Sequence, residues 1–197
     1  SRMGIVWTTH MRFEKSLLED QVWQDAKESG CRYLHFGYES GNERVLKLMD
    51  KATTTEIMTK HLKYTAEAGI WNHCMGFFGF PGETKEEAWQ SVQFLEQNKD
   101  SVHSLGFGTF DLGRHNPVAK HPDKWGVTAY KNQDWDLALD YYYTVKNGMS
   151  IEEAERVFEE FERKHNPGWD LRLFTREYVF LYIARFGLQK LSDLQFN

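Results

Sequence analysis

Between Met3 and about Asp111 short β-type runs alternate with helical ones, with no hairpin signal between any two strands, and this alternation restricts the fold more than any other feature. Residues 4–9 (GIVWTT), 32–38 (RYLHFGY), 71–78 (WNHCMGFF) and 104–111 (SLGFGTFD) read as strands. The first intervening helix has Ser16 as its N-cap, Leu17, Leu18, Val22 and Ala26 near one face, and Gly30 as its stop. A short helix carries Val45, Leu46 and Met49, and a longer one runs from about Thr54 through Ile57, Met58, Leu62 and Ala66 to Gly69. Thr84 and Glu87 form a T-x-x-E capping box for a fourth helix with Ala88, Val92 and Leu95. Strands separated by helices are parallel strands in βαβ units, so the fold class is α/β, either doubly wound or part of a barrel. In both architectures ligands gather where strands end and helices begin. The search for a site therefore narrows to the loops at residues 10–15, 39–42, 79–84 and 111–117.

After Asp111 the alternation stops. Residues 113–126 hold Pro117 and Pro122 and read as an extended loop, and the remainder reads as mostly helical. Asp134 caps a segment containing Tyr141, Tyr142 and Tyr143, and Ser150 with Glu153 forms a second capping box. The last helix follows Asp170, with Leu173, Phe180, Ile183 and Phe186 near one face and Gly187 as its stop. This divides the chain into an α/β unit, 1–112, and an extended loop with a helical region, 113–197. A 41 % hydrophobic, 15 % aromatic chain of 197 residues can bury a core. Its net charge of −5 argues against a nucleic-acid partner, because non-specific binding to polyanions rests on an excess of cations. Two cysteines, Cys31 and Cys74, are too few for a disulfide scaffold and suit a reducing, cytoplasmic setting. No secretory leader pattern opens the sequence, and no apolar run nears the roughly 18–20 residues that span a bilayer, so no membrane partner is expected. An opening at Ser1 instead of Met reads as part of a longer protein.

Two of the four loops carry chemistry. Glu39-Ser40-Gly41 follows the second strand, and Gly79-Phe80-Pro81-Gly82-Glu83-Thr84 follows the third. An acid at a strand end followed by Ser-Gly can bond vicinal hydroxyls such as those of a ribose, with the glycine allowing a tight turn. Lys51 can reach back as a cation for a carboxylate. The second loop sets small residues where a flat ligand could lie against backbone, beside an aromatic wall at Phe78 or Phe80. Together these suit a ligand with a ring, a ribose and a carboxylate.

In order and spacing, Gly30-Cys31-Arg32 through Gly37-Tyr38-Glu39-Ser40-Gly41, then Val45-Leu46, Met49-Asp50-Lys51 and the 79–84 loop, resemble the radical S-adenosylmethionine enzymes. The resemblance is to the branch with cobalamin-dependent members, methylthiotransferases and coproporphyrinogen-type oxidases, and it covers about half of the chain, as the second half of a partial (β/α) barrel. It implies that Glu39, Ser40 and Gly41 lie by the ribose and methionyl part of S-adenosylmethionine. It places Lys51 at the carboxylate, and Phe78, Gly79, Phe80 and Pro81 along the adenine. It also implies a 4Fe-4S cluster, admits cobalamin as a further cofactor, and leaves a small-molecule or peptide substrate unspecified. Two departures stand out. Met75 occupies a position often acidic in relatives, and the C-x-x-x-C-x-x-C run that holds the cluster is absent. Six strands are usual in that barrel and four are visible here, so the cluster ligands are expected on a segment outside this chain, which by itself is expected to be inactive.

Two other classes compete. One is a cluster-free barrel that serves as a binding or scaffold module. The other is a metal-dependent hydrolase gathering His10, His35, His73 and His115 from successive strand ends, although no H-x-H or H-E-x-x-H spacing occurs. His35 shares strand parity with Glu39 and is expected in the same cavity.

Overall fold

The computed structural model describes residues 4–130, 139–169 and 176–188. Strands β1 (Trp7–Met11), β2 (Cys31–Glu39), β3 (Trp71–Phe78) and β4 (Ser104–Thr109) form one parallel sheet in the order β1-β2-β3-β4. Helices α1 (Asp20–Ser29), α2 (Glu43–Leu48), α3 (Thr55–Glu67) and α4 (Lys85–Gln97) fill the connections. Neighbouring strands taken in chain order with right-handed crossovers put their helices on one side of the sheet, which leaves the other side as the inner wall of a partial barrel.

The core shows the same division. Leu34, Phe36 and Tyr38 of β2 and Cys74 of β3 are fully buried against Trp23, Met58, Leu62, Phe94 and Leu95 from the helices. The opposite parity faces inward, and the register aligns it in rows: Tyr33 with Trp71, His35 with His73 and Ser104, Gly37 with Met75 and Gly106. Glycines at 37, 106 and 108 leave part of that wall without side chains.

Some boundaries differ from expectation for local reasons. Gly4 has φ +63, off the extended region, and β1 starts only at Trp7, whose N–H donates to Gly30 O. Ser16 falls inside a 3-10 turn, Lys15–Leu17, and α1 opens at Asp20 after Glu19 with no side-chain cap. Phe13, stacked on Phe36 at 4.5 Å between ring centres, draws the preceding loop into the core.

The larger correction lies beyond β4. Tyr141, Tyr142 and Tyr143 are not helical: they sit on β7 (Asp140–Val145), which pairs antiparallel with β5 (Leu112–Gly113) and with β6 (Val127–Tyr130). Aromatic and β-branched residues favour such a pleated surface. Tyr143 is buried, its hydroxyl donating to Phe110 O at 2.9 Å, while Tyr142 is exposed. The short α5 (Pro117–Lys120) lies between β5 and β6. Helix α6 (Ile151–Trp169) opens with the Ser150/Glu153 box and packs Ala154, Val157 and Phe161 on the helix side near Phe78 and Val92. Helix α7 (Arg176–Phe186) sets Val179 and Ile183 against Tyr33 and Trp71 at the low end of the inner wall. Asp134, Asp170 and Leu173 lie outside the described residues. Among the described residues no helix is long and apolar enough to cross a membrane.

Candidate functional site

Glu39 ends β2 in the left-handed region, φ +62, after a bulge between Gly37 and Glu39. Such a conformation is uncommon for a residue with a side chain and marks a site held by its surroundings. The carboxylate folds back over Gly37, where a Cβ would lie only 3.1 Å from Oε1. Lys51 follows α2 and a second left-handed residue, Asp50 (φ +56), and its Nζ donates to Glu39 Oε1 at 2.9 Å. The two opposite charges neutralise each other in a half-buried setting.

Beside this pair lies a cavity of about 370 Å³ whose lining includes Arg12, Glu14, Gly37, Glu39, Asp50 and Lys51. Glu39 and Lys51 therefore line one cavity, paired with each other. Arg12, one residue past β1, joins them, and the sequence reading missed it. Its signal was available: Arg12 shares β1 parity with His10, whose ring stacks on inward-facing His35.

The other candidates do not line this cavity. Ser40 is fully buried, its hydroxyl hydrogen-bonded with Ser91 Oγ of α4 at 2.9 Å and accepting from Asn42 N. Gly41 N donates to the same Ser91 Oγ at 2.9 Å. The pair docks α4 on the end of β2 and offers no group to a ligand.

In the following loop, Phe78 is also fully buried, but on the helix side among Ala88, Val92, Val157 and Phe161. It cannot form an aromatic wall for an inner-wall ligand. Phe77, of opposite parity and partly exposed, is the residue of this pair on the inner face. Phe80 is packed into a separate cluster with Val45, Phe110 and Trp125, and Pro81 is buried. Gly79 adopts φ +87, and its missing side chain makes room for α6, since a Cβ there would lie 2.6 Å from Ala154 Cβ.

Gly79 N–H donates to Glu83 Oε2 at 2.7 Å. Glu83 is fully buried, and its Oε1 has no hydrogen-bond partner among the described residues. Burial pushes this carboxyl up to about 7, against the opposing pull of the Gly79 and Phe80 N–H groups. The loop is therefore a clamped scaffold around a buried acid. Arg44 of α2 adds a hydrogen bond to Gly82 O, and Met149 N donates to Glu83 O at 2.8 Å.

Residues 5–95 match the family model described as the Radical SAM superfamily. The match spans residues 5–95, just under half of the chain, and over that segment the chain is similar to the superfamily. Among curated relatives, an uncharacterized methyltransferase of Pyrococcus horikoshii is 31% identical over 97 residues, which is 48% of this chain and 20% of that protein. A tRNA-2-methylthio-N(6)-dimethylallyladenosine synthase of Petrotoga mobilis is 24% identical over 145 residues, 68% of this chain and 30% of the relative. Among solved structures, the Escherichia coli coproporphyrinogen III oxidase superposes with a TM-score of 0.58 at 14% identity, covering 81% of this chain and 31% of that one. The cobalamin-dependent radical enzyme OxsB with aqua-cobalamin gives 0.57 at 13% identity, over 97% of this chain and 38% of that one. The structural likenesses establish the partial-barrel fold. The chain spans between about a fifth and two-fifths of the length of these proteins.

The chain lacks the three-cysteine run that holds the cluster in that superfamily. Cys31 and Cys74 are both fully buried in the helix-side core. Burial pushes the Cys31 thiol up to about 11 and the Cys74 thiol further still, so neither is a thiolate. The histidines do meet, though not as metal ligands. His10, His35 and His73 stand level on adjacent strands. The His10 and His35 rings stack at 4.5 Å and 10°, and His35 and His73 meet edge-on at 5.6 Å. Parallel faces do not aim two nitrogens at one point, and His73 Nδ1 is engaged with Ser104 Oγ at 2.8 Å. Among the described residues no group of three could hold a metal ion, and His115 stands exposed beyond β5, off this row. The hydrolase alternative loses its ligand set.

Proposed function

We propose that this chain is the S-adenosylmethionine-binding part of a radical S-adenosylmethionine enzyme whose cluster ligands lie outside these 197 residues. The observation that carries the reading is the cavity at the end of β2. Its charged lining is Arg12 and Lys51 against Glu14, Glu39 and Asp50, a net −1. S-adenosylmethionine, with a sulfonium, an ammonium and a carboxylate, is a net +1 ligand that also needs one cation, which this lining supplies. Glu39 is the acceptor within reach of ribose hydroxyls, held in place by Lys51. The glycine-lined wall at 37, 106 and 108 leaves room on the inner side of the sheet. The cluster's chemistry, electron transfer to the sulfonium, belongs to groups these residues do not provide. What the chain contributes is binding and orientation.

Cobalamin enters the proposal as a cofactor of the whole protein, supported by the fold shared with OxsB. The substrate, small molecule or peptide, is not specified by this half of the site. A cluster-free binding module is the second reading, favoured by the two buried cysteines. Calorimetric titration with S-adenosylmethionine tests the site. Glu39→Ala is expected to weaken binding by about tenfold or more, since a hydrogen bond to a charged group contributes ~1.5–3 kcal/mol. Unchanged affinity rejects the site. Reconstitution with iron and sulfide tests a premise the two readings share: stoichiometric cluster uptake by this chain alone contradicts both.

A further inference from the structure

We infer that a second cavity, beyond the end of β4, binds an organic cation, an ammonium group carried on an alkyl stem; the inference goes beyond the S-adenosylmethionine site and does not depend on it. This cavity of about 270 Å³ lies where the end of β4, strand β7 and the first turns of α6 meet. Its charged lining is Asp111, Asp140 and Glu155, with no Lys, Arg or His among the described lining residues, a net −3. None of the three carboxylates has an ion-pair or hydrogen-bond partner among the described residues. Burial, and then the like charge of Asp140, push the Asp111 carboxyl above its ordinary range. A cation placed among these groups removes that repulsion, whereas an anion adds to it.

The walls select the kind of cation. Tyr141 and Tyr142 present aromatic rings to the cavity, and aromatic faces attract positive charge. Arg114, outside the lining, already lies over the Tyr141 ring at 5.9 Å from its centre, so that ring meets a cation within the fold itself. Leu112 and Ile151 supply apolar surface for a stem. A bare metal ion does not fit this description: it needs three or more ligands aimed at one point, and no such group occurs among the described residues. The volume lies just below the ~300–1,000 Å³ of pockets that enclose whole drug-sized ligands, which suits one amine-bearing arm of a larger molecule. Carboxylates around an aromatic-walled recess therefore match an alkylammonium in charge, size and surface.

Nuclear magnetic resonance titration with n-butylammonium chloride, against 1-butanol as an uncharged counterpart of equal length, tests the site. Butylammonium is expected to shift tyrosine ring signals saturably and butanol to leave them in place. Asp111 and Glu155 are exposed, so Asp111→Asn and Glu155→Gln are expected to fold as the wild type does, checked by thermal unfolding. Each should weaken butylammonium binding by about threefold and the double variant by about tenfold, the range for partly exposed charge pairs. Glu159→Gln, at an exposed position of α6 outside the lining, should leave it unchanged. Butanol binding as tightly as butylammonium, equal weakening by Glu159→Gln, or no saturable shift overturns the inference. Displacement of butylammonium by equimolar magnesium also overturns it, in favour of a metal site. S-adenosylmethionine titration of the same variants is expected to match wild type, so failure of this site and failure of the one at the end of β2 are read separately.

Discussion

At Gly41 a single methyl group would overlap the Tyr38 hydroxyl, approach Phe94 Cβ to 2.7 Å and reach 3.0 Å from Ser91 Cα. Two of these three contacts involve backbone or Cβ atoms, which cannot swing aside. Gly41→Ala is therefore expected to cost about 1–3 kcal/mol in urea unfolding, the range for overpacking a tight contact. A loss below ~0.5 kcal/mol would show that α4 shifts freely. The same residue shows where sequence reading stopped. Glu39-Ser40-Gly41 was legible as a site motif, but the direction of each side chain was not. The bulge between Gly37 and Glu39 breaks the strict alternation that would otherwise assign faces, and the turn that aims Glu39 into the cavity sends Ser40 into α4. For Phe77 and Phe78 the alternation was intact and decisive, because counting in twos from inward-facing His73 reaches Phe77.

Among the elements, α4 was legible almost completely. Thr84 Oγ1 accepts from Glu87 N, Glu87 Oε2 accepts from Thr84 N at 2.9 Å, and the helix runs from the next residue with Ala88, Val92 and Leu95 buried. Local chemistry alone defines such a start, which is why the T-x-x-E pattern suffices. Thr84→Ala is expected to lower stability by about 1 kcal/mol. Glu87→Ala should lower it further, because Glu87 also binds Arg44 of α2 and the guanidinium holds its carboxyl below the usual range. Chemical denaturation of both variants checks the order, and equal losses would show that the α2–α4 tie adds nothing. Strand β7 was illegible for the opposite reason. Its partner residues Leu112 and Gly113 precede it by more than twenty-five positions, and no short turn announces the pairing. Read locally, the tyrosines fell within a helical region, and the non-local pairing makes them a strand instead.

For the molecule as a whole, buried titratable groups set opposing responses to pH. His61 is caged by Phe13, Trp23 and Phe36, with Nε2 hydrogen-bonded to Glu14 O at 2.8 Å and Nδ1 buried with no partner among the described residues. Burial holds it below its ordinary 6.5. His103, accepting from Asn72 N at 2.9 Å, is pushed down by burial to about 4. For both, the unfolded chain binds a proton that the folded chain refuses, so their contribution is complete above pH 6.5 and is lost as pH falls below it, for His103 down to about 4. Glu83 behaves in the opposite sense. Its carboxyl keeps a proton up to about pH 7 in the fold but releases it near 4.5 when unfolded, so stability falls as pH rises through that interval. Glu83→Gln fixes the group neutral, and the amide oxygen can still accept from Gly79 N. Relative to wild type, the variant is therefore expected to gain about 2 kcal/mol between pH 5 and pH 8, somewhat less than the full shift allows at ~1.4 kcal/mol per unit. Urea unfolding at both pH values measures the difference. Parallel wild-type and variant stabilities would show that Glu83 titrates as an ordinary carboxyl, and that the loop beside the site tolerates its charge.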